Sequence, residues 1–180
     1  MNKKAQITTI RITTAALFMA LNIAFSSFGI PVPGGHLYLC DVVICTAAIL
    51  LNPLEAFVVG GVGSFLGDFF FYPAPMFVSL VTHGLQAVAI SVLAHYTLKK
   101  HPKISSGIGV AVGVIILVIG YTIGRTFFYG AHSFEVALVK LPFEILQGTV
   151  GAVGGMVICW ALGIKKLFNK FVTYNENFSK

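Results

Sequence analysis

Seven polar residues stand inside or beside long apolar runs, where a charge or amide is expensive unless it has work or a partner. They are Asp68, His83, Gln86, Arg125, Lys140, Glu144 and Gln147. Their spacing is helical. Ser64 and Asp68 are i,i+4, His83 and Gln86 are i,i+3, and Tyr121 and Arg125 are i,i+4, while Lys140, Glu144 and Gln147 fall at i, i+4, i+7. Each set therefore occupies one helix face. Facing lipid would be costly, so the faces are expected to converge on an internal polar pocket. Carboxylates there suit a protonated ring nitrogen, and a cation or imidazole suits a phenolate or hydroxymethyl group. Tyr38, Tyr72, Tyr121 and Tyr129 supply rings for stacking. His36 joins Tyr38 in the candidate set from the loop before the second helix.

The elements that must hold these residues follow from composition. The chain has 180 residues, 57% hydrophobic and 10% charged, with a mean hydropathy of +0.89. Roughly 25% charged is usual for a soluble domain. Apolar runs recur to the C-terminus, so one signal peptide does not explain them. At about 20 residues per crossing, six helices and short loops nearly exhaust the length. The expectation is an all-α integral membrane protein, a single six-helix transmembrane domain over residues 1–180.

Ten of the twelve Lys/Arg residues fall in three clusters. Lys3, Lys4 and Arg11 precede the first run. Lys99, Lys100 and Lys103 fill a central break, and Lys165, Lys166, Lys170 and Lys180 follow the last run. Six crossings with both termini cytoplasmic put all three clusters on one side, as the positive-inside rule requires. The same placement explains the pI of 9.4 without nucleic acid.

The helices are expected at about Ile12–Phe28, Leu39–Leu51, Leu54–Tyr72, Met76–Leu98, Gly107–Phe128, and from between Phe134 and Leu141 to near Ile164. The second is short for a full span, hence tilted or buried at its outer end. The outer loops are Ile30-Pro-Val-Pro-Gly-Gly-His-Leu-Tyr38, Pro73-Ala-Pro75 and the segment from Tyr129 to Val139. On this topology the polar faces lie in the outer half of the bundle. Helix one carries Ala16, Ala20 and Ala24, a smooth ridge for close approach of another helix; packing within the same bundle is the alternative.

Each residue also has a plainer reading. Arg125 and Lys140 can be anchors that snorkel to headgroups. Asp41 and Asp68 can be helix-end or helix–helix hydrogen-bond partners. Glu55, after Asn52-Pro53, reads as an ordinary charge at a helix N-terminus. Cys40, Cys45 and Cys159 have no metal-type spacing. No HExxH, G-x-S-x-G or phosphate-binding loop is present. A pocket without an engine points to capture of a solute that a partner moves. A membrane enzyme using His83 and Glu144 as acid and base, or a structural membrane protein, are the other classes.

The ordered pieces resemble the substrate-binding S component of an energy-coupling factor (ECF) vitamin transporter. They are the Ala ridge, the Pro-Gly-Gly loop followed by Leu39-Cys-Asp41, Gly60-Gly-Val-Gly-Ser-Phe-Leu-Gly-Asp68, Pro73-Ala-Pro-Met-Phe-Val-Ser-Leu-Val-Thr-His-Gly-Leu-Gln86 and Leu141-Pro-Phe-Glu-Ile-Leu-Gln147. The resemblance implies vitamin capture from outside, gated by the outer loops. It further implies docking on a membrane scaffold subunit with two ATPases, with the Ala ridge as the contact and toppling of the subunit as the delivering motion. It implies no cofactor and a bacterial plasma membrane. It is nearest the group for riboflavin, hydroxymethylpyrimidine, pyridoxine and cobalamin. His83, Gln86 and Glu144 stand where that group often has Lys, Glu and Asn, and Cys40 replaces a common Gly. The substrate is therefore chosen on chemistry. A pyridoxine- or pyridoxal-type ring fits best, hydroxymethylpyrimidine comes close behind, and cobalamin or riboflavin are further alternatives.

Overall fold

Long apolar runs bounded by Pro, Gly and basic residues become helices, and the computed structural model describes them over residues 3–129 and 133–177. Helix α1 is Lys3–Ser26. A two-stranded antiparallel hairpin follows, β1 Ile30–Val32 and β2 Gly35–Leu37. Then come α2, Cys40–Leu50; α3, Pro53–Phe71; α4, Met76–Tyr96; α5, Pro102–Phe127; and α6, Phe134–Ala161. The last described helix is α7, Ile164–Asn177. Five of these helices, α1 and α3 to α6, are long and apolar enough to cross a membrane.

The short second helix is the centre of the bundle. Ten of the eleven residues of α2 are buried. Ile44, Cys45, Ala47, Ala48 and Ile49 are wholly enclosed, and they pack with Ala56, Val59, Ala87 and Ile90 in one apolar core. A helix apolar all round belongs inside a bundle, which is why eleven residues suffice here. Its polar exceptions are Thr46, whose hydroxyl donates to the Val42 carbonyl of the same helix, and Asp41, which is wholly buried.

The loop expected before α2 is ordered as a hairpin, with Ile30 opposite Leu37 and Val32 opposite Gly35. Pro33-Gly34 makes its turn. Gly34 has φ +81°, a left-handed conformation that favours glycine. Asn52 caps α3 in a reciprocal box: its Oδ1 accepts from the Glu55 N–H at 2.9 Å, and Glu55 Oε2 accepts from the Asn52 N–H at 3.3 Å. Glu55 also pairs with Arg11, 3.0 Å from Nε to Oε1, in keeping with its plain reading.

The chain beyond Ile164 continues as a helix. Gly163, with φ +74°, breaks α6 from α7. Fourteen residues rise about 21 Å, short of the ~30 Å hydrocarbon core. Lys165 and Lys166 begin α7, while Ile164 and Phe168 pack against the core. This pattern is that of an interfacial helix. Burial lowers the Lys165 pKa from its ordinary value, and its Nζ donates to the Ile49 carbonyl at the end of α2, 3.2 Å away. Its ammonium lies 5.1 Å from the Trp160 ring, with Lys103 at 5.9 Å on the same ring. Arg11, Glu55, Lys103 and Lys165 thus share one end of the bundle, and the hairpin lies at the other. Lys180 of the terminal basic cluster, and residues 130–132 of the expected outer loop, lie outside the described residues.

Candidate functional site

At the hairpin end a cavity opens between β2, α3, α4, α5 and α6. The cavity volume is about 40 Å³. That is room for about three or four waters, at 10–15 Å³ each by the same measure. The free space is therefore a slot of single-ring size.

Its floor is a network around Asp41. Gln86 Nε2 donates to Asp41 Oδ1 at 3.0 Å, and Gln147 Nε2 donates to Oδ2 at 2.6 Å. Gln147 Oε1 accepts the Tyr38 backbone N–H at 3.0 Å, which ties the hairpin exit to α6. Gln86 Oε1 lies 2.8 Å from His83 Nδ1. Cys40, Asp41 and His83 each offer a metal-type donor within 4.8 Å of one another. Both Asp41 oxygens and His83 Nδ1 are already held by amides, so the set reads as a hydrogen-bond network.

One wall carries a second chain. Ser79 Oγ donates to Asp68 Oδ2 and lies 2.5 Å from the Tyr121 hydroxyl. The Tyr121 ring meets His83 edge-on, with centroids 5.4 Å apart. Asp68 thus reaches across to α4 for its partner; Ser64, one turn before it, takes a hydrogen bond from Asn22 Nδ2 at 3.1 Å.

The upper wall is cationic and holds the hairpin. Arg125 Nη1 donates to the Gly34 carbonyl at 2.8 Å, and its Nη2 donates to Glu144 Oε1 at 3.2 Å. Lys140 Nζ donates to the His36 carbonyl at 2.6 Å. Both cations are 6% exposed and point to backbone inside the bundle, so the snorkelling alternative does not describe them. His36 meets the Tyr72 ring edge-on at 5.5 Å, and Tyr129 lies under the Arg125 guanidinium at 5.1 Å. Burial raises the pKa of both the Tyr38 and Tyr129 phenols, so each stays neutral and able to donate at ordinary pH.

Buried polar groups are normally paired. Here Glu144 Oε2, Arg125 Nε and His36 Nδ1 are buried without a hydrogen-bond partner, and all three residues line the cavity. The Arg125–Glu144 ion pair thus keeps one acceptor and one donor unpaired in the cavity wall.

Nine of the ten residues picked out from sequence line this cavity: His36, Tyr38, Asp68, His83, Tyr121, Arg125, Lys140, Glu144 and Gln147. Gln86 does not. It stands behind His83 and links it to Asp41. Asp41, read from sequence as a helix-end or helix–helix hydrogen-bond partner and left out of the candidate site, is such a partner: it joins α2, α4 and α6 beneath the cavity. Its one sequence signal is a carboxylate opening a helix that is otherwise almost wholly apolar. Ala16, Ala20 and Ala24 are exposed on α1, while Ala15 faces inward. The ridge is therefore not used for packing within the bundle.

A helical bundle of membrane-spanning length with a polar, single-ring slot at one end defines a membrane-embedded solute-binding protein. Residues 6–163 match the family described as ECF-type riboflavin transporter, S component, and the chain belongs to that family. Its relatives include the thiamine precursor transporter HmpT of Lactococcus lactis subsp. cremoris (strain MG1363), 32% identical over 153 residues, which are 82% of this chain and 84% of HmpT. A protein of Pyrococcus woesei, described only as uncharacterized and located in a gap 3' region, is 32% identical over 136 residues, 74% of this chain and 85% of its own. The chain is accordingly a multi-pass membrane protein and a transporter component.

Proposed function

We propose that this chain captures a small heteroaromatic vitamin precursor from outside the cell for an ATP-driven ECF importer, and that the precursor is a hydroxymethylpyrimidine. The observation that carries the substrate is the unpaired Oε2 of Glu144 beside Arg125 in the cavity wall. A 4-aminopyrimidine presents a ring nitrogen and an amino N–H side by side. Protonated at that adjacent nitrogen, it offers two parallel donors to one carboxylate, one to Oε2 and one to Oε1 alongside Arg125. The slot's single-ring room supports this choice over riboflavin, with three fused rings, and over cobalamin. The name of the thiamine precursor relative supports it over the pyridoxine-type ring that sequence chemistry alone favours.

Pyridoxal remains the second reading, for one reason. Lys140 Nζ lines the same cavity and is a cation fit to meet a phenolate.

The rest of the reading follows the family. The five long helices and α2 form six crossings with both termini cytoplasmic, in a bacterial plasma membrane. His36, Tyr38, Asp68, His83, Tyr121, Arg125, Lys140, Glu144 and Gln147 contact the ligand, with Gln86 behind them. The exposed ridge of Ala16, Ala20 and Ala24 meets the membrane scaffold subunit, and two ATPases beneath it supply the energy. The subunit topples to carry the cavity inward, and the chain itself performs no chemistry. Mass spectrometry of the ligand that co-purifies with the chain tests the substrate. A hydroxymethylpyrimidine supports the reading, pyridoxal moves it to the second, and a corrinoid or flavin overturns both.

A further inference from the structure

The amide orientations around Asp41 follow from one donor that cannot be reversed. The Tyr38 backbone N–H only donates, so the oxygen of Gln147 must face it, and it does at 3.0 Å. The Gln147 NH₂ then faces Asp41 Oδ2. A carboxylate only accepts, so Gln86 also turns its NH₂ to Asp41, on Oδ1. That leaves Gln86 Oε1 toward His83 Nδ1 at 2.8 Å. An amide oxygen only accepts, so Nδ1 must carry the proton. In a neutral imidazole the other nitrogen, Nε2, is then a bare acceptor.

We infer that Asp41 is a positioning residue which, through Gln86, fixes His83 with its Nε2 lone pair available to the cavity, so that a ligand group placed on His83 must be a hydrogen-bond donor such as an amino or hydroxyl group. The inference rests on the reading of the cavity as a vitamin site and adds a polarity rule to it. It separates donor-bearing heteroaromatics from rings that show only acceptors at that position. It also predicts what a neutral substitution does. In Asp41→Asn the new amide has one donor and one acceptor, so one glutamine must turn over. Gln147 is pinned by the Tyr38 N–H, so Gln86 turns. Its NH₂ then faces His83 Nδ1, and the imidazole proton moves to Nε2.

The test is nitrogen NMR of the full chain, ¹⁵N-labelled at histidine, in lipid nanodiscs at mildly alkaline pH. The His83 signals are assigned by their loss in His83→Gln. The expected result is Nδ1 protonated and Nε2 bare by at least about ten to one, the ratio given by one hydrogen bond worth about 1.4 kcal/mol, with the preference reversed in Asp41→Asn. A protonated Nε2 in the unsubstituted chain, or an unchanged tautomer in Asp41→Asn, overturns the inference. Should Asp41→Asn not assemble, the unsubstituted chain decides alone. Calorimetry of the same sample with hydroxymethylpyrimidine separates the two claims. Absent binding with the expected tautomer sinks the vitamin reading and leaves the Asp41–Gln86–His83 relay standing.

Discussion

Gly151 on α6 lies so close to Asp41 on α2 that a Cβ added to it would stand 2.4 Å from the Asp41 Cβ. No side chain fits that gap, and a backbone this near is what lets Gln147, one turn earlier on α6, reach Asp41 Oδ2. Gly151→Ala must push the helices apart at the floor of the cavity. Overpacking of this kind costs about 1–3 kcal/mol, and ligand affinity should fall with it. Gly107→Ala is the control, since its Cβ would meet only Met156 Cε at 3.9 Å; it should leave both unchanged or add up to ~1 kcal/mol of helix propensity. Denaturant unfolding in nanodiscs, beside calorimetry, reads both.

Arg125 and Glu144 form a buried pair, 8% and 4% exposed at the side chain. Removing one partner of such a pair costs about 3–5 kcal/mol, because the other charge is left alone, whereas removing both costs far less. Arg125→Met should therefore unfold more easily than the double variant Arg125→Met/Glu144→Leu. Equal stability of the two would mean that the charges are not coupled.

Lys140 holds the hairpin over the cavity through the His36 carbonyl. A hydrogen bond from a charged donor is worth about 1.5–3 kcal/mol. Lys140→Met should release bound ligand about ten to a hundred times faster, with little change in the association rate. Dissociation of radiolabelled ligand into an excess of cold ligand measures this.

Ala16 is exposed on α1 and remote from the polar floor. Ala16→Trp should bind ligand as the unsubstituted chain does, yet fail in uptake when expressed with the scaffold and ATPase subunits. Normal uptake would remove the ridge from the docking surface.

The bundle was legible because its signals are dense. Runs of twenty apolar residues, Pro and Gly at their ends, and lysines gathered at three points specify helices and their order. The polar faces were legible because helical spacing groups Lys140, Glu144 and Gln147 on one stripe. Depth along a helix does not say which residue looks into the cavity, so Gln86 and His83 appeared equivalent. The structure puts one behind the other. Asp41 was legible as a hydrogen-bond partner between helices but not as the floor of the cavity, because its partners lie 45 and 106 residues away, a pairing that no local spacing announces. The hairpin was missed for a similar reason. Its strands are three residues each, too short to show alternation, and the hydrogen bonds from Arg125 and Lys140 that hold it come from α5 and α6. The helix α7 carries too many polar residues to register as another apolar run, and its fold follows from laying one face on Trp160 and the core.

The central claim is that Glu144 reads the ring of a small pyrimidine, and titration calorimetry of the purified full chain in nanodiscs with hydroxymethylpyrimidine tests it most directly. The account predicts saturable binding of one molecule per chain, weakened at least about tenfold in Glu144→Gln, as expected for loss of a charge-assisted hydrogen bond. No saturable binding, or binding that Glu144→Gln leaves unchanged, would contradict it.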